Sequence, residues 1–114
     1  MTHYCGMTFE EYGDKASNTR VYDRKWNIMY PALKLCGEAG EVAEKIGKWY
    51  RDKDGKPTVD DIVSVGKELG DVLWYINALA KDLGLELEDV AVGNLNKLKS
   101  RADRGMVGGA GDDR

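Results

Sequence analysis

Two short stretches bring carboxylates into unusual company: GEAGEVAEKIGK at Gly37–Lys48, with Glu38 and Glu41, and KELGDVLWY at Lys67–Tyr75, with Glu68 and Asp71. On an α-helix a three-residue step leaves two side chains about 60° apart on one face and about 4.5 Å apart along the axis. Both pairs sit among apolar residues: Leu33, Leu35, Val42 and Ile46 around the first, Leu69, Val72, Leu73 and Ile76 around the second. An unpaired ion on an apolar helix face costs several kcal/mol, so such residues are normally kept off it. If the two helices face each other, four negative charges meet in one small volume, and a divalent cation is the most direct way to neutralise them. The pattern predicts a metal site made by Glu38, Glu41, Glu68 and Asp71. The competing reading is a solvated face of i,i+4 ion pairs, Glu41–Lys45 and Glu44–Lys48. Glu44, which drifts round the helix from Glu38, is assigned to that structural role.

The donors narrow the metal. All four are hard oxygen ligands, which suit Mg²⁺ with Mn²⁺ as a substitute, whereas zinc and redox-active iron usually recruit His or Cys. The single histidine, His3, lies far from both stretches in sequence. Di-iron bundles use Glu-x-x-His on two helices, and here the third positions hold Glu41 and Asp71. Magnesium keeps waters and shares its coordination with substrate phosphates, so the site points to phosphate-ester or phosphoanhydride chemistry.

Helices must present these residues. Thr8-Phe9-Glu10-Glu11 reads as a capping box, with Thr8 as N-cap and Glu11 three residues later, starting a short helix to about Ser17. The polar Ser17–Asp23 segment is a connection, and an apolar-aromatic cluster, Trp26 to Tyr30, precedes Pro31. Proline suits a first helical turn, so a long second helix is expected from about Pro31 to Tyr50. RDKDGKP, residues 51–57, is turn chemistry. Thr58-Val59-Asp60-Asp61 is a second capped start, for a helix over about 59–83 stopped by Gly84. A fourth helix spans about 86–101, with Leu87, Val90, Leu95 and Leu98 as its apolar stripe. No segment alternates with period two, so no sheet is expected. The fold class predicted is all-α, a four-helix-type bundle over residues 1–104 followed by a glycine-rich tail at 105–114. The helical glycines Gly37, Gly40, Gly66 and Gly70 cost up to about 1 kcal/mol each in helix propensity, and close helix approach beside the cluster is their expected purpose.

At 114 residues the chain has room for one core. Its net charge is −3, of which the four carboxylates would carry −4, so the remainder is about neutral and offers no basic surface to nucleic acid. Cys5 and Cys36 form no disulfide framework or C-x-x-C motif; reduced thiols and a cytoplasmic location are expected. No apolar run reaches the about 18 residues of a membrane span, so neither export nor insertion is expected. VLWYINALA, residues 72–80, is apolar nearly all round, which asks for protein on more than one side. A homodimer or dimer of dimers would provide it.

The order Glu38-x-x-Glu41, Glu68-x-x-Asp71, then Asn94-Leu95-Asn96-Lys97-Leu98-Lys99-Ser100-Arg101 resembles the MazG-like all-α nucleoside triphosphate pyrophosphohydrolases over roughly residues 8–101. A lone Glu-x-x-Glu is common, but two such pairs in glycine-bearing contexts followed by this third segment are specific together. The resemblance implies Mg²⁺-dependent hydrolysis of a (deoxy)nucleoside triphosphate between the α and β phosphates. Metal held by the four carboxylates would clamp phosphate oxygens and position a water, with Glu41 as general base. Lys97 and Arg101, a turn apart, would meet the phosphates, and Asn94 would bind phosphate, sugar or base. Family comparison makes Trp26 and Tyr75 candidates for stacking on the base, and the glycine-rich tail a candidate lid. Base and sugar preference stay open. A non-catalytic acidic helical protein with a structural metal is the rival class; its mark would be stabilisation by Mg²⁺ without nucleotide turnover. A redox carboxylate bundle is disfavoured by the missing histidines.

Overall fold

The computed structural model describes residues 5–23 and 28–105. Four α-helices follow one another: α1 (Phe9–Ser17), α2 (Met29–Lys53), α3 (Val59–Asp82) and α4 (Leu87–Asp103). No strand occurs among the described residues, as the missing period-two alternation predicts. Thr8 caps α1, its side chain accepting from the Glu11 amide at 3.1 Å. Thr58 and Asp61 close a reciprocal capping box on α3, Thr58 Oγ1 accepting from Asp61 N at 3.1 Å and Asp61 Oδ2 from Thr58 N at 2.8 Å. These local bonds satisfy amides that the first helical turn would otherwise leave orphaned.

Helix α2 is longer than expected at both ends. It starts at Met29, so Pro31 falls inside its first turn, where a missing N–H costs no intrahelical bond. It continues to Lys53 because the left-handed conformation needed to end it is taken by Asp54 (φ 54°) and Gly55 (φ 73°), four residues later than Tyr50. Helix α4 likewise runs two residues past Arg101.

Helix α3 is the central element: α2 packs along it, α1 packs on α3 and α4, and α4 touches α3, while α2 and α4 do not pack together. The α1–α3 contact is close. Asn77, 1% exposed, donates to Gly13 O and Ser17 Oγ, both at 3.2 Å, and a Cβ on Gly13 would stand 3.0 Å from Asn77 Oδ1. Close helix approach therefore belongs to Gly13. Gly37, Gly40, Gly66 and Gly70 instead face open space, with nothing within 4 Å of an added Cβ, contrary to the role expected of them. The stretch 72–80 is half-buried or buried throughout, so the chain's own helices cover it. Unpartnered apolar surface lies elsewhere: Leu33 on α2, Ile62 and Leu69 on α3, and Leu95 on α4 are all more than half exposed. No helix among the described residues is long and apolar enough to cross a membrane.

Candidate metal centre

Packing α2 along α3 brings three of the four predicted ligands together. Glu38, Glu68 and Asp71 each offer a carboxylate oxygen, and these oxygens lie within 4.8 Å of one another. Glu38 and Glu68 keep 18% and 17% of their side-chain surface exposed, and Asp71 is exposed. Burial, then the nearby Asp71 and Glu68 carboxylates, raise the pKa of Glu38, and Lys34 opposes this weakly. Like charges at this range oppose ionisation. The cluster is thus short of positive charge, and its hard oxygen donors fit a divalent cation of the Mg²⁺ class. Glu41 is exposed on α2 and stands outside this group of three.

Lys34 Nζ is 4.0 Å from Glu38 Oε1 and 5.9 Å from the Tyr75 ring centroid. Lys45 does not pair with Glu41 along its own helix, as the i,i+4 spacing suggested. It reaches across to α3, 3.2 Å from Glu68 Oε1 and 2.6 Å from Ser64 Oγ, to which it donates. The Glu44–Lys48 pair does form, at 3.2 Å on the surface. Lys34 had a sequence signal in its i,i+4 spacing to Glu38; Lys45 had none, because its partners are on another helix.

One turn beyond Asp71, Tyr75 joins Thr19, Trp74, Glu38 and Asp71 in lining an open cleft of about 410 Å³. Burial, then Tyr30 and the carboxylates Glu38 and Asp71, push the Tyr75 hydroxyl up to about 12, so it stays a neutral donor at physiological pH. Its ring meets Tyr30 at 6.3 Å, and Tyr30 stacks on Tyr22 at 5.0 Å. Asp82 holds that wall from behind, accepting from the Tyr22 hydroxyl and pairing with Arg20 at 2.6 Å. Trp74 Nε1 donates to Thr19 Oγ1 at 2.8 Å, tying the cleft to the α1–α2 connection. Trp26 and residues 106–114 of the proposed lid lie outside the described residues. Asn94, Lys97 and Arg101 lie on α4, which does not pack on α2; Asn94 and Lys97 are exposed, Arg101 half-buried. None of the three lines the cleft with Glu38 and Asp71.

The class these features define is an all-α protein with clustered carboxylates on two facing helices, beside an aromatic-walled cleft. Residues 31–106 match the MazG nucleotide pyrophosphohydrolase domain, and the chain belongs to that family. It is 43% identical over 114 aligned positions to the gene 37 protein of Mycobacterium phage L5, covering 95% of this chain and all of that one. It is 35% identical over 68 positions to YpjD of Bacillus subtilis strain 168, covering 60% of each. No solved structure matches. Neither relative's name states an activity.

Proposed function

We propose that the protein hydrolyses (deoxy)nucleoside triphosphates to nucleoside monophosphate and pyrophosphate, using Mg²⁺ or Mn²⁺. The observation that carries this reading is the meeting of Glu38, Glu68 and Asp71 oxygens within 4.8 Å, in a chain of the MazG pyrophosphohydrolase family. Glu38, Glu68 and Asp71 would hold the metal, with Glu41 joining from the next turn of α2. Bound there, the metal supplies Lewis-acid stabilisation of phosphate charge and a template for the triphosphate. The chain's groups do the rest. A carboxylate, Glu41 in our assignment, takes a proton from the attacking water as its oxygen bonds the α phosphorus. The bond from that phosphorus to the α–β bridging oxygen breaks, and its electron pair leaves with pyrophosphate. Tyr75, at the edge of the cleft, and Trp26 would flank the base.

We further propose that the site is completed by a second copy of the chain, as a homodimer or dimer of dimers. Ile62, Gly66 and Leu69 follow one another along an exposed face of α3, and Leu33, Gly37 and Gly40 along one of α2. The glycines have open space before them, which suits a close helical neighbour. Such a neighbour is also the means by which Asn94, Lys97 and Arg101 of one copy would reach substrate phosphates at the other.

The test is pyrophosphate release from a panel of ribo- and deoxynucleoside triphosphates, with Mg²⁺ and with chelator, for the native chain, Glu38→Gln and Glu41→Gln. Magnesium-dependent release abolished in Glu38→Gln supports the reading. Mg²⁺ stabilisation of the fold with no turnover of any nucleotide would replace it with a non-catalytic metal-bound role. Release undiminished in Glu41→Gln would remove Glu41 as the base.

A further inference from the structure

Tyr75, Asp71, Glu68 and Ser64 succeed one another along one face of α3 at steps of four, three and four residues. That face therefore has an order: aromatic side chain, carboxylates, then a hydroxyl bonded to a lysine. Beyond Glu68 lies a second cleft, of about 250 Å³, whose lining includes Lys45, Lys48, Trp49 and Ser64. Its acidic members are already engaged. Asp61 accepts from Lys53 at 2.6 Å as well as from the Thr58 amide, and Asp52 takes both arms of Arg51 at 2.8 and 2.7 Å. Lys48 makes a surface pair with Glu44, both side chains more than half exposed, and acts through its charge on Asp52; exposed pairs of this kind contribute little. Lys45 is different. Its ammonium, 34% exposed on its side chain, is clamped between Ser64 and Glu68. It is thus a resident cation on one of the very carboxylates that would hold a metal.

We propose that Lys45 is an exchangeable cation. It neutralises Glu68 in the metal-free protein, and once a divalent ion takes over that charge it turns, with Lys48, to the terminal phosphates of the substrate. The cleft beside them is then the seat of the pyrophosphate that leaves, and the nucleotide lies along α3 with its base toward Tyr75 and its phosphate tail toward Ser64. This rests on the pyrophosphohydrolase reading above. An ammonium freed from one carboxylate and a phosphate carrying several charged oxygens are natural partners, since charge-assisted bonds are the strong ones. Ser64 Oγ, which accepts from the Lys45 ammonium at 2.6 Å, stays beside that ammonium while its ionic partner changes.

Titration calorimetry in Mg²⁺ tests it, with inorganic pyrophosphate as one ligand and, as the other, the monophosphate of the best-hydrolysed panel nucleotide. Lys45→Met and Lys48→Met are each expected to weaken pyrophosphate binding by about tenfold or more, the loss of one charge-assisted contact. Monophosphate binding should change by less than about twofold, and Lys45→Arg should retain pyrophosphate. In chelator, Lys45→Met should melt below the native chain and recover more on adding Mg²⁺, since its carboxylates have lost their resident cation. Pyrophosphate binding unchanged in both methionine variants overturns the proposal, as does an equal loss for both ligands. Lys48→Met, an exposed change, reads the same cleft if Lys45→Met does not fold. A native chain that turns over nucleotide while its lysine variants bind pyrophosphate normally sinks this proposal alone. A native chain inert toward every triphosphate sinks the reaction reading instead.

Discussion

Glu38 shows how one residue's environment encodes a task. Burial and the carboxylates of Asp71 and Glu68 raise its pKa, while Lys34 compensates weakly. In the metal-free protein its ionised form is therefore disfavoured relative to the unfolded chain. A raised carboxylate contributes stability that is complete below its unfolded value, 4.5, and is lost as pH rises through the folded value. In chelator the melting temperature should consequently fall as pH climbs from about 4.5, and saturating Mg²⁺ should flatten that slope. Glu38→Gln removes one of the opposing charges. It should melt higher than the native chain in chelator yet lose about a hundredfold or more in pyrophosphate release, a loss of several kcal/mol in transition-state stabilisation. Differential scanning fluorimetry across pH, beside the release assay, reads both. A Glu38→Gln protein less stable than the native chain in chelator would show that the cluster is not electrostatically strained.

At the scale of the element, α3 is held at its start by local bonds and along its length by burial. Thr58 and Asp61 cap it reciprocally, and the Lys53 ammonium with the Thr58 amide holds the Asp61 carboxyl below its ordinary value. The sign is opposite to that of Glu38: Asp61 contributes stability present above 3.8, which is lost as pH falls through its depressed folded value. Thr58→Ala should cost about 1 kcal/mol, the usual loss of an N-cap side chain, read as a lower urea midpoint. Asp61→Asn should destabilise near neutral pH and blunt the acid limb of the stability profile. The starts of α1 and α3 were legible from Thr8, Thr58 and Asp61 because capping is a contract between residues three apart. The end of α2 was less so. Asp54 and Gly55 both accept a positive φ, and composition does not say which residue in a polar run will use it.

For the whole molecule, the unpartnered faces matter most. A short helical chain that leaves Leu33, Ile62, Leu69 and Leu95 more than half exposed has apolar surface to bury, and association is the ordinary remedy. Sedimentation equilibrium should give at least twice the monomer mass. Ile62→Glu with Leu69→Glu, on the exposed face of α3, should shift the protein toward monomer and reduce nucleotide hydrolysis with it, since Asn94, Lys97 and Arg101 do not line the cleft with Glu38 and Asp71. A monomer with full activity would show that one chain is sufficient.

The sequence by itself determined that this chain is helical, where three of its helices begin, and that Glu38, Glu41, Glu68 and Asp71 stand among apolar residues at helical spacing. These are properties of spacing within one helix, where covalent geometry fixes the direction of every side chain. Tertiary structure decided the rest: that Glu41 stands apart while its three companions converge, that Lys45 crosses to Glu68 and Ser64, and that Gly13 marks the close helix contact. Such features depend on how far α2 is rotated about its own axis as it packs on α3 and where α1 lands. That rotation is set by the summed burial of many side chains at once, and no short motif records it.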